Sequence, residues 1–139
     1  MQKLCLSSVA KIGIQSLDAL STLHKAGFVH GKVGSENIMI GYNKDTSWMI
    51  YLIDFSQSQQ INENQINENE QTRKTLNSGN STGIMELNSN IKLIQNDLYC
   101  LLKMLMALYN GVEEDQVHLD GEGFNYKDYI AILHEIKLV

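Results

Sequence analysis

Residues 27–37 read Gly-Phe-Val-His-Gly-Lys-Val-Gly-Ser-Glu-Asn, and residues 52–56 read Leu-Ile-Asp-Phe-Ser. The first stretch opens on Gly27, a residue type that commonly ends helices, and continues as a glycine-containing loop with polar side chains. The second stretch leaves an apolar run at Asp54. A loop that contains His30, Lys32 and Asn37, followed by a carboxylate at the end of a strand, is a candidate site carried between regular elements.

The chain on either side of this loop predicts helices. Residues 3–26 form an amphipathic helix with one apolar stripe at intervals of three and four residues, made of Ala10, Ile14, Leu17, Leu20 and Leu23. Residues 95–109 predict a second helix that is apolar nearly all round and therefore buried. A third amphipathic helix is predicted over residues 125–137. The elements thus form a helical scaffold around the loop.

Two short strands, at residues 37–40 and 48–53, are joined by the turn-forming residues 41–47 and predict a β-hairpin. Residues 57–82 are of low complexity, with Ile-Asn-Glu-Asn-Gln followed at once by Ile-Asn-Glu-Asn-Glu. Their polarity predicts a mobile loop. The predicted fold class is mainly α with a small β-hairpin, in one domain.

Composition excludes several classes of function. The chain has 139 residues and a formal net charge of −5, which disfavours nucleic acid as a partner because phosphate binding needs a basic surface. No apolar run approaches the length of a membrane span. Cys5 and Cys100 lack CxxC spacing, which is typical of a reduced protein, so we expect an intracellular, cytoplasmic location.

The quoted stretches resemble two motifs of protein kinases. Residues 27–37 resemble the catalytic loop, with the pattern His-Arg-Asp-x-Lys-x-x-Asn, and residues 52–56 resemble the Asp-Phe-Gly segment. The sequences of residues 51–55 and of Asn-Asp-Leu at 96–98 are most similar to those of the casein kinase 1 family. The resemblance extends over residues 5–110. It implies a kinase-like large (C-terminal) lobe, with residues 1–139 as a partial domain and 57–82 as an activation-loop-like insert.

The resemblance also implies a degenerate catalytic site. Phosphoryl transfer needs a carboxylate to accept the substrate proton, a cation near the transferred phosphate, and Mg²⁺ held by an Asp and an Asn. Lys32 stands at the position of that carboxylate, and an ammonium has no lone pair with which to accept a proton. Gly34 stands at the position of the catalytic-loop lysine. Asn37 and Asp54 keep the residue types of a vestigial Mg²⁺ site, and no catalytic residue is expected.

The remaining site residues are expected to be structural. His30 and Phe55 belong to the packing of the loop against the Asp-Phe segment. Asp97 is predicted at the N-terminus of the second helix, where it stabilises unpaired amides, and the resemblance implies that it also ties down the loop amides. Lys32 is either a solvated lysine or a partner of Asp54, and we favour the pair. Asn37 alternatively holds the loop through side-chain to backbone hydrogen bonds.

The resemblance places the smaller, ATP-clamping lobe upstream of residue 1, so no cofactor is expected, although residual binding of ATP and Mg²⁺ stays open. We therefore interpret the chain as a non-catalytic, pseudokinase-type scaffold whose protein partner covers the face of the missing small lobe. One alternative is a fragment of a casein kinase 1-like serine/threonine kinase that binds ATP and transfers phosphate. Another is an unrelated helical adaptor, in which His30, Asn37, Asp54 and Asp97 would lie far apart.

Overall fold

A computed structural model describes residues 2–61 and 81–119, with side chains in the second helix described from Ser89 onward. The predicted helix 125–137 lies outside the described residues. The chain is mainly α-helical with two small antiparallel sheets, as the sequence predicts. The elements, in chain order, are α1 (Leu6–Lys25), β1 (Phe28–Val29), β2 (Ile38–Ile40), β3 (Ile50–Leu52), β4 (Gln59–Gln60) and α2 (Ser81–Asn110).

Helix α1 begins three residues later than predicted, because the residues before it are tied to the end of α2. The amide of Leu4 donates to the carbonyl of Leu108 at 2.9 Å. The predicted stripe is also partly wrong, since Leu17 is 42% exposed. The residues of α1 that are buried are Val9, Ala10, Gly13, Ser16 and Leu20. The helix ends at Lys25, and Gly27, two residues later, has a φ of 85° that suits a residue without a side chain.

Helix α2 is longer and less uniformly buried than predicted. It begins at Ser81 rather than near residue 95, because a helix continues through polar residues once it is formed. Its buried apolar residues from Ser89 onward are Leu101, Met104, Leu105, Met106 and Ala107, and they form the core with Val9, Leu20, Val33 and Val117. Leu98, on another side of the helix, is 38% exposed. The core therefore lies between α1 and the C-terminal half of α2.

Strands β2 and β3 form the predicted hairpin, with Ile38 opposite Leu52 and Met39 opposite Tyr51. Ile38 and Leu52 pack against the core, whereas Met39 and Tyr51 point to the other face and are exposed. The side chain of Gln15 in α1 fixes the hairpin. It donates to the carbonyl of Trp48 and accepts from the amide of Ile50, each at 2.9 Å.

A second small sheet, not predicted from the sequence, pairs β1 with β4. Strand β4 belongs to the first residues of the predicted polar insert. These residues end at Ile61, which is only 1% exposed. The amide of Ile61 donates to the carbonyl of Gly27 at 2.7 Å. Residues 62–80 of the insert lie outside the described residues. Within the described parts of the chain, neither helix has the length and apolar character needed to cross a membrane.

Candidate functional site

Asp97 holds the loop that follows β1. One carboxylate oxygen, Oδ2, accepts the amide of His30 at 2.8 Å, and the other, Oδ1, accepts the amide of Gly31 at 2.9 Å. The ring Nε2 of His24 lies 2.9 Å from Oδ2. Because a carboxylate only accepts, His24 carries its proton on Nε2. Asp97 is 1% exposed, so these three donors replace the water that it loses on burial.

The position of Asp97 in its helix differs from the prediction. It lies well inside α2 rather than at the helix N-terminus, because the helix begins at Ser81. A side chain in the middle of a helix cannot cap that helix's own free amides. Asp97 accepts from amides of the loop that lies 66 and 67 residues earlier in the chain, which is the other role that the resemblance implies for it.

His30 is fully buried and both of its ring nitrogens are used. Nε2 lies 3.0 Å from the carbonyl oxygen of Ile53, and Nδ1 accepts from the amide of Lys32 at 3.3 Å. This pattern requires the tautomer with the proton on Nε2. The ring of Phe55 contacts the imidazole with centroids 4.9 Å apart and planes tilted by 56°. Neither ring nitrogen of His30 is left to exchange a proton with a substrate.

Asn37 connects the loop with the end of β3. Its side-chain Nδ2 donates to the carbonyl of Lys32 at 2.8 Å, and its own carbonyl accepts from the amide of Ile53 at 2.9 Å. The side chain is 3% exposed. Because this amide group spans five residues of the same loop, it fixes the loop conformation.

Asp54 and Lys32 form an exposed ion pair. Lys32 Nζ lies 3.4 Å from Asp54 Oδ2, and the two side chains are 47% and 37% exposed. The other oxygen, Oδ1, accepts the Ser56 hydroxyl at 2.6 Å and the Ser56 amide at 3.3 Å. The Ser56 hydroxyl, the Ser56 amide and Lys32 together lower the pKa of Asp54. Asp54 has a φ of 59°, a left-handed conformation that Asp tolerates better than most residues.

The two glycines of the loop have different reasons for being glycine. Gly31 has a φ of 80°, and a Cβ there would lie 2.3 Å from the carbonyl oxygen of Gln57. The arginine found in the kinase pattern therefore does not fit this backbone. Gly34 is extended, and a Cβ there would lie 2.7 Å from a carboxylate oxygen of Glu36 and 3.3 Å from one of Glu114. Two carboxylates thus surround the position where the kinase pattern has a lysine.

The sequence analysis missed three contributors to this site. His24, Glu114 and Ser56 are not among the site residues that the sequence predicts. Glu114 Oε1 accepts from the amide of Ser35 at 2.8 Å across 79 residues, for which the sequence carries no signal. Ser56 could have been found, because a hydroxyl two residues after an aspartate is placed for a local hydrogen bond.

A magnesium ion does not fit these residues as they are arranged. Both oxygens of Asp54 are engaged, and one of them faces the ammonium of Lys32, which repels a second cation. Within residues 2–61 and 81–119, no group of three or more His, Cys, Asp or Glu side chains is placed to hold a metal ion.

Comparisons with known proteins point to kinases over part of the chain. A probable serine/threonine-protein kinase of Dictyostelium discoideum is 38% identical over 53 residues, which are 38% of this chain and 11% of that protein. Nitrogen network kinase 1 of Saccharomyces cerevisiae is 32% identical over 71 residues, or 50% of this chain and 8% of that protein. The matches thus span a small share of either relative's length. No protein-family model matches the chain.

These partial similarities support a kinase-like relationship and carry no casein kinase 1 detail. The geometry agrees with that relationship, because four predicted site residues meet at one loop. Asp97 accepts from the amide of His30, and the ring of His30 bonds to Ile53, next to Asp54. Asn37 donates to the carbonyl of Lys32, whose ammonium contacts Asp54. An unrelated helical adaptor gives no reason for this convergence. The site geometry and the partial matches thus agree on a kinase-like relationship, which the matches support over part of the chain.

Proposed function

We propose that this kinase-derived chain does not transfer phosphate and acts by binding a protein partner, as a pseudokinase-type scaffold. The proposal includes a casein kinase 1-like origin, which the sequences of residues 51–55 and 96–98 suggest. The observation that carries it is the ammonium of Lys32 at the position of the proton-accepting carboxylate, 3.4 Å from Asp54. A lysine there donates hydrogen bonds and accepts none.

The surroundings of Gly34 support the same proposal. In the kinase pattern a lysine at this position neutralises charge on the transferred phosphate. Here the space next to Gly34 faces carboxylate oxygens of Glu36 and Glu114. Carboxylates repel a phosphate instead of stabilising it, and the repulsion of like charges is strongest where water is partly excluded. The loop thus lacks the base and has the wrong charge at the phosphate.

Phosphate transfer is the direct test. The purified chain, with Mg²⁺ and radiolabelled ATP, is incubated with casein and with itself as acceptors, beside Asp54→Ala. We expect the two proteins to give the same background. Transfer by the wild-type chain that is abolished in Asp54→Ala would overturn the proposal in favour of the alternative, a fragment of an active serine/threonine kinase. A thermal-shift titration with ATP and Mg²⁺ reports the pocket separately, because ligand binding raises Tm with occupancy.

The hairpin offers the surface for the protein partner that the sequence predicts on the face of the small lobe. Met39 and Tyr51 lie side by side on its outer face and are 53% and 41% exposed. Tyr42 and Trp48, in the segment that joins the two strands, are 100% and 68% exposed, and Ile40, on the opposite face of β2, is 60% exposed. Exposed apolar side chains in a contiguous group often mark a protein interface. We propose a partner that presents an apolar surface to this side of the hairpin.

A photo-crosslinking residue at Tyr42 tests this surface, with the same residue at Lys11, an exposed position on α1, as the control. We expect one saturable crosslinked species from Tyr42 that disappears when Met39→Lys is added, and none from Lys11. Met39 is exposed, so this substitution leaves the fold intact. Equal crosslinking from both positions, or no effect of Met39→Lys, would contradict the proposed interface.

A further inference from the structure

The Asp54 carboxylate has no free oxygen for an added cation. Oδ1 accepts from the hydroxyl and the amide of Ser56, and Oδ2 accepts from the ammonium of Lys32. The backbone of Asp54 is left-handed, and the local hydrogen bonds to Ser56 hold the carboxylate in this orientation. The carboxylate is therefore oriented, ionised and already paired with a positive charge that belongs to the same chain.

Asn37 fixes the part of the loop that carries Lys32. Its side-chain amide donates to the carbonyl of Lys32, so that it supports the residue whose ammonium reaches Asp54. A magnesium ion requires about six oxygen ligands in near-octahedral geometry, of which proteins usually supply one or two carboxylates. With Asp54 paired to an ammonium, an arriving divalent cation meets a positive charge where it needs a negative one.

We infer that Lys32 is a built-in cation that replaces the divalent metal at Asp54 and excludes that metal from the site. The inference rests on the proposed function, which it deepens by naming what occupies the vestigial metal position. It also explains why the loss of the catalytic carboxylate is compatible with an ionised Asp54. The ion pair balances the charge of Asp54 at a position where a kinase would use magnesium.

The exposed character of the pair makes Lys32 replaceable by experiment. The Lys32 side chain is 47% exposed, so its ammonium holds the site by charge and not by packing. Lys32→Met keeps a similar length and removes the charge. Lys44, in the turn of the hairpin, is also exposed, and Lys44→Met removes one positive charge away from Asp54, which makes it the matched control.

The test uses Mn²⁺ as a paramagnetic probe on the full chain at low ionic strength. Bound Mn²⁺ broadens the amide signals of nearby residues, and the Ser56 amide is hydrogen-bonded to Asp54. In the wild-type chain and in Lys44→Met we expect no selective broadening of Ser56. In Lys32→Met we expect broadening that indicates binding at least about tenfold tighter, since removal of a like charge favours the cation. Adding Asp54→Asn to Lys32→Met abolishes it.

Two results would overturn the inference. The first is wild-type chain that binds Mn²⁺ at Ser56 as tightly as Lys32→Met, which means that Lys32 excludes nothing. The second is Lys32→Met that keeps its dispersed amide spectrum and still binds no Mn²⁺, which means that Lys32 is not the reason. Neither result restores phosphate transfer, so the phosphotransfer assay decides the proposed function independently.

Discussion

Replacing Asp97 by alanine is expected to destabilise the chain more than any other single substitution in the loop region. Asp97 is 1% exposed and accepts from the amides of His30 and Gly31 and from the ring of His24. Alanine leaves all three donors without that acceptor. A buried donor without a partner costs about 1–3 kcal/mol, and bonds to a charged acceptor lie at the upper end.

The three donors do not contribute equally. The His24 side chain is 11% exposed, so water replaces part of its lost bond, whereas His30 is fully buried. We therefore expect Asp97→Ala to lower the free energy of unfolding by about 3–5 kcal/mol, which is a large share of the stability of a single domain. Asp97→Asn keeps one accepting oxygen but turns an NH₂ group toward a donor. Its expected cost is smaller, about 2–3 kcal/mol.

Urea denaturation followed by far-UV circular dichroism measures these differences, with Asn96→Ala as the control on the same helix. Asn96 is exposed, so its replacement changes the free energy of unfolding by no more than about 0.5 kcal/mol. Hydrogen exchange adds a local readout, since the His30 and Gly31 amides should lose protection in Asp97→Ala. A cost below about 1 kcal/mol, with both amides still protected, would refute the reasoning.

Four further substitutions test three other contacts. Gly31→Ala should lower the free energy of unfolding, measured with urea, by about 2–4 kcal/mol, because φ is positive and the new Cβ meets a backbone carbonyl. Gly34→Ala should lower it far less, because its Cβ meets only flexible carboxylates. Equal losses in the two variants would contradict this explanation. Ser56→Ala should raise the pKa of Asp54 toward its usual 3.8 in an NMR titration. Because the pKa of Asp54 is lowered in the folded chain, its ionised carboxylate stabilises the turn at pH values above the pKa of Asp54 in the unfolded chain, and this stabilisation is lost as the pH falls through the folded-state pKa. An unchanged Asp54 titration in Ser56→Ala would refute the role of the hydroxyl. Gln15→Ala removes two hydrogen bonds to the hairpin and should cost about 1–2 kcal/mol, with faster hydrogen exchange in β3; unchanged exchange would refute the anchor.

The contrast between Gly31 and Gly34 bears on how the loop departs from the kinase pattern. Gly34 has an extended backbone that other residues can adopt, so the backbone there does not require a glycine. Its effect is to leave out the positive charge of the lysine in the kinase pattern. Gly31 has a left-handed backbone against Gln57, so an arginine there would require the loop to move. Gly31→Arg would therefore strain this loop, whereas a side chain at residue 34 would displace only carboxylate groups.

Local sequence patterns predict much of this fold. Hydrophobic periodicity is a property of neighbouring residues, so it locates α1, the apolar end of α2 and the hairpin, and a glycine after Lys25 marks the end of the first helix. The same patterns misplace the starts of both helices. The start of α1 depends on a hydrogen bond from Leu4 to Leu108, which no local pattern contains.

The residue types at the kinase-like positions can be read directly from the sequence, including Lys32 in place of a carboxylate. The contacts that these residues make depend on the fold. Asp97 accepts from amides 66 and 67 residues away, and Glu114 reaches Ser35 across 79 residues. Such contacts form because the folded core brings distant segments within hydrogen-bonding distance, and a buried carboxylate then binds whichever donors the fold supplies. The sequence indicates that the site differs from the kinase pattern, and the packing of the fold determines which charged groups contact each other.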